Sequence, residues 1–138
     1  MKKLILITAL LLLTGMTFGQ VLPKGTLIGT HAMTITLKPG VTMEQYIQFF
    51  TTKYLPELNK LDPDWQMYLV KGIRGNIFVN SFGLIHVIKS EQVRAKWVNA
   101  DGTATELQKS ANEKLKPITD ELRKLGTYVT AYTDWIVQ

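Results

Sequence analysis

The sequence predicts a single α+β domain in which helices cover one face of an antiparallel sheet. Three observations predict it. Runs with apolar residues at every second position alternate with runs at spacings of three and four, in the order strand, helix, strand, strand, helices, strand. The two longest helical runs each open on a capping-box spacing, Thr42 with Gln45 and Thr103 with Glu106. Turn-forming groups at Lys38-Pro39-Gly40, Asp62-Pro63-Asp64 and Asn99-Ala100-Asp101-Gly102 separate the runs.

The domain is preceded by an export signal. Lys2 and Lys3 form a positive start, Leu4 to Leu13 is apolar apart from Thr8, and Thr17 and Gly19 suit a cut before Gln20. That apolar run is shorter than the roughly 20 residues needed to cross a bilayer core. Residues 1–19 therefore read as a signal peptide. Residues 20–138 read as one exported domain, periplasmic or secreted, with no membrane anchor.

The first strand is Leu27 to Leu37, where Gly29, His31, Met33, Ile35 and Leu37 alternate with Thr30, Ala32, Thr34 and Thr36. After Pro39-Gly40 a helix carries Met43, Tyr46, Ile47, Phe50 and Tyr54 on one apolar face. Pro56 is expected to kink or end it near Leu55, although Leu58 and Leu61 suggest one more turn. Trp65 to Val70 is the second strand and Phe78 to Lys89 the third, with Phe82 to Ile88 its apolar heart. Ser90 caps a short helix bearing Val93, Trp97 and Val98. A longer helix begins at Thr103 and carries Leu107, Ala111, Leu115, Ile118, Leu122 and Leu125, with a kink or break expected at Pro117. Gly126 suits a left-handed residue after the helix end, and Tyr128 to Val137 is the last strand.

Two strand–helix–strand halves with right-handed crossovers give a sheet of spatial order 4-1-3-2, the ferredoxin-like βαββαβ arrangement. The face away from the helices carries Thr30, Ala32, Thr34 and Thr36 and needs a cover. Packing sheet against sheet in a homodimer supplies one.

Composition narrows the function. The chain has no cysteine, which excludes disulfide scaffolds, thiolate catalysis, thiolate metal sites and a lipid-modified N-terminal cysteine. Without Lys2 and Lys3 the charge is about +3, from 14 basic and 11 acidic residues. The basic residues are scattered among acids, as on a solvated helix face, so nucleic acid is not an expected partner.

The strand ending Thr36-Leu37-Lys38-Pro39-Gly40, with the aromatic helix after it, resembles the opening of dimeric α/β-barrel proteins of the antibiotic-biosynthesis monooxygenase type. The run from Gly83 to Lys96, a strand passing through Ser90-Glu91 into a helix with Trp97, is similar to the second half of that unit. The resemblance implies a homodimer with a crevice between sheet and helices, and in some members cofactor-free oxygenation of a small molecule.

His31 and His86 are the only histidines, and they lie on neighbouring strands. With Leu37 pairing near Phe82, His86 falls opposite Met33 and His31 one diagonal step away, both on the more apolar parity of their strands. Such a pair can act as general base or bind a metal or haem, or it can be a satisfied structural pair. Neither a metal site nor a cofactor is expected, since no third ligand is evident. Tyr46, Phe50, Tyr54 and Trp97 line the same space, either as core or as the wall of a ligand pocket. Asp134 is either a buried base or an edge-strand charge. The expected function is binding of a small apolar or aromatic molecule. The alternatives are a cofactor-independent monooxygenase or isomerase, or a haem-dependent enzyme, using His31 or His86; or an interaction module with no site.

Overall fold

The computed structural model describes residues 22–74 and 81–138. The expected export signal, and residues 78–80 of the expected third strand, lie outside the described residues. The elements are β1 (Leu27–Leu37), α1 (Met43–Phe49), a π-helical turn (Phe50–Tyr54), α2 (Leu55–Asn59), β2 (Trp65–Lys71), β3 (Phe82–Ile88), α3 (Glu91–Trp97), α4 (Glu106–Leu125) and β4 (Gly126–Ile136). The strands form one antiparallel sheet in order β2-β3-β1-β4, and the helices pack on one face. This is the ferredoxin-like arrangement.

Capping chemistry sets the helix starts. The Gln45 amide donates to Thr42 Oγ1 at 3.2 Å and the Thr42 amide donates to Gln45 Oε1 at 2.9 Å, closing the expected box. Pro56 does not end the helix. The π turn immediately before it widens the backbone, with the Leu55 amide reaching Phe50 O, and Pro56 then sits in the first turn of α2, where its missing N–H is tolerated. α4 starts two residues later than its sequence pattern suggests. Val98 bridges Ala104 in an antiparallel pair, which holds the chain extended through that point, and Thr105 becomes the cap by accepting from the Gln108 amide. Val98 is therefore not helical. Pro117 lies inside α4 without breaking it, on an exposed face where water can satisfy the Glu113 carbonyl. Gly126 is extended, not left-handed, and begins β4. Close approach explains the glycine there: a Cβ would lie 2.7 Å from Thr36 O and 3.2 Å from the Tyr46 ring.

Two apolar clusters sit between sheet and helices. The larger joins Met33, Tyr46, Phe50, Tyr54, Leu55, Leu84 and Leu122, with Tyr46 and Phe50 fully enclosed. The smaller joins Leu27, Ile88 and Val93, with Trp65 against it. The other face of the sheet is open. Tyr68, Val70, Val129 and Trp135 are exposed on it, around a shallow concavity of about 520 Å³ that includes Thr30, Ala32, Ile85 and Thr133.

The larger cluster should dominate stability. Phe50→Ala removes a ring that packs against Tyr54 and Tyr128 at centroid distances of 5.3 and 5.7 Å. Denaturant titration should show a loss of about 3–5 kcal/mol.

Candidate ligand site at the sheet–helix crevice

A polar strip crosses the sheet between the two apolar clusters. The register places Gly29 opposite His86 on one side and opposite Asp134 on the other, with His31 paired to Leu84 and Tyr132. The β1–β3 pairing differs by four residues from the expected one: Met33, not Leu37, meets Phe82, so His86 meets Gly29 and not Met33. Alternation along each strand still puts both histidines on the helix-facing side, one diagonal step apart. Gly29 makes room for the strip. A Cβ at that position would lie 3.0 Å from Asp134 Oδ1, 3.1 Å from His31 Nε2 and 3.2 Å from His86 Cβ.

The two imidazoles stack face to face, with centroids 4.0 Å apart and planes 7° from parallel. The exposed Tyr132 ring stacks on the other side of His31 at 5.2 Å. Trp65 Nε1 donates to His86 Nδ1 at 3.2 Å. An indole N–H can only donate, so Nδ1 is an acceptor and the proton of neutral His86 resides on Nε2. That nitrogen is buried and has no partner among the described residues. Burial pushes the His86 pKa down to about 4, and neighbouring His31 adds to the shift. Burial also lowers His31, partly opposed by the charge of Asp134. Asp134 Oδ2 in turn lies 3.7 Å from Arg94 Nε of α3. Asp134 is thus both on an edge strand and turned toward the histidines. At neutral pH the strip holds two uncharged imidazoles beside a partly screened carboxylate–guanidinium pair.

A cavity of about 80 Å³ adjoins the strip, where β2 meets α2, α3 and α4. Leu58, Leu61, Met67 and Leu115 form its apolar wall, Trp65 and Trp97 its aromatic one, and Asp62, Gln108 and Asn112 its polar groups. Trp97 Nε1 donates to Asp62 Oδ2 at 3.0 Å. Trp65 belongs to both regions, lining the cavity while its N–H fixes His86.

The expected site residues are therefore divided. His31 and His86 come together. Of the four aromatics, Trp97 lines the cavity and Tyr54 borders an open groove beside it, whereas Tyr46 and Phe50 are enclosed in the core. Burial, reinforced by Tyr54, pushes the Tyr46 hydroxyl up to about 12, so it stays protonated. Trp65, Asp62, Gly29 and Arg94 were not singled out by sequence, because nothing in their spacing marks them. Among the described residues no group of three His, Asp or Glu side chains is placed to hold a metal. His86 does not fit a haem-ligating role, since Nδ1 is engaged and Nε2 is enclosed. No described helix is long and apolar enough to cross a membrane.

No protein family's sequence profile matches the chain, and no curated protein does. Among solved structures it is similar to SnoaB, a cofactor-independent oxygenase from Streptomyces nogalater. The two share 14% sequence identity over 79% of this chain and 91% of that one, with a TM-score of 0.43.

His86 makes stability pH-dependent. Its pKa is lower in the folded protein than its ordinary 6.5, so below that pH the unfolded chain binds a proton that the folded one refuses. Stability is full above about pH 6.5 and falls as pH drops toward 4, by roughly 3 kcal/mol in all. Denaturation midpoints measured across this window should fall more steeply for the wild type than for His86→Gln, in which only the smaller contribution of His31 remains.

Proposed function

We propose that the protein is an exported homodimer that binds a small molecule between its sheet and its helices. The observation that carries this reading is the cavity walled by Trp65 and Trp97, where apolar surface meets a few convergent polar groups, the usual design of a small-molecule site. The positively charged and then apolar start of the chain supports export. The exposed Tyr68, Val70, Val129 and Trp135 on one sheet face support self-association through that face.

A second reading rests on a different observation. His31 is partly accessible, is kept neutral by burial and has the Asp134 carboxylate nearby, which suits a general base. On that reading the protein is an isomerase or a cofactor-independent monooxygenase, with the substrate lying against Tyr132 and His31. The base takes a proton from the substrate at a ring nitrogen, and Asp134 stabilises the imidazolium formed.

Native mass spectrometry of residues 20–138, purified from an exported fraction, tests the leading reading. A dimer carrying an additional small-molecule mass is expected. A bare monomer contradicts it.

A further inference from the structure

We propose that the cavity between β2 and α2–α4 takes a small alkylammonium group, with its alkyl part on the leucine and tryptophan walls and its charge at Asp62. This rests on the ligand-crevice reading above and adds the chemical class of the ligand. Charge, surface and size support it together.

Among the described residues, Asp62 is the only charged side chain lining the cavity. Burial alone raises its carboxyl, but the Trp97 indole N–H, the Asp64 amide and the fields of Lys96 and Lys89 outweigh it and hold the carboxyl below its ordinary range. It is therefore ionised at neutral pH. Oδ2 accepts from Trp97 and Oδ1 from the Asp64 amide at 2.9 Å. A carboxylate has roughly four acceptor positions, so two remain for a ligand donor. Lys89 and Lys96 are exposed and stand outside the lining, and Lys89 pairs with Asp64.

The walls complete the match. Both indole N–H groups are spent, on His86 and on Asp62, so the tryptophans offer carbon surface to an occupant. Indole rings suit a cation as well as an alkyl chain. A neutral apolar occupant would forgo the ion pair with the carboxylate, and an anion would be repelled. At about 80 Å³ the space suits a short amine and not a large ligand.

The test titrates the purified protein with butylammonium and, separately, with 1-butanol at pH 7, following the three tryptophan indole N–H signals by NMR. Trp65 and Trp97 should shift while Trp135, on the open sheet face, does not. Butylammonium should bind at least tenfold tighter than 1-butanol, and Asp62→Asn should erase that preference. Equal binding of the two overturns the ammonium assignment and leaves the crevice reading standing. No shift of Trp65 or Trp97 with either probe overturns both. If Asp62→Asn does not fold, the comparison of the two probes on the wild-type protein decides alone.

Discussion

The hydrogen bond from the Trp65 indole to His86 Nδ1 ties together the parts of this molecule that have chemistry. It reaches from β2 to β3 on the helix-facing side of the sheet, and it works only in the observed register, with Met67 paired to His86 and Trp65 to Ile88. A slip of one residue would turn every side chain of the strand to the other face. The bond locks His86 in one tautomer, burial and the neighbouring His31 keep it neutral, and its ring provides the flat surface on which His31 stacks. Trp65 is thereby fixed as the wall shared by the imidazole strip and the cavity. The cavity wall and the state of the histidines meet in a single side chain.

The strip is also where packing is interrupted. Apolar residues on either side separate into two clusters, and between them the sheet carries Gly29, His31, His86 and Asp134. An uninterrupted apolar core there would bury more surface and gain stability. Keeping a glycine, two imidazoles and a carboxylate at that point instead leaves one buried N–H without an acceptor among the described residues. Departures of this kind from the best packing are expected at functional sites.

Much of the fold was legible because local signals agreed with the global pattern. The alternation of β1, the Thr42–Gln45 box and the Ser90 cap all correspond to observed features, and the element order with right-handed crossovers gives the observed strand order. The differences arose where a tertiary contact overrode a local rule. The Val98–Ala104 bridge moved the start of α4, the π turn carried the helix past Pro56, and the crowding of Thr36 and Tyr46 explains Gly126 without a left-handed turn. The site was legible only in part. Two histidines on adjacent strands of matching parity could be brought together by reasoning, even with a register four residues out, because parity survives an even shift. Trp65 and Asp62 could not, since their roles come from a hydrogen bond across strands and from a cavity whose walls lie far apart in sequence. Tyr46 and Phe50 have the same helical spacing whether they face core or ligand, so only burial separates those roles.

Nitrogen-15 NMR of the imidazole rings at pH 6 tests the central claim most directly, because it reads tautomer and protonation at once. The account predicts a neutral His86 with its proton on Nε2 and Nδ1 as acceptor, and a change in that pattern in Trp65→Phe. A His86 that is protonated at pH 6, or carries its proton on Nδ1, would contradict it.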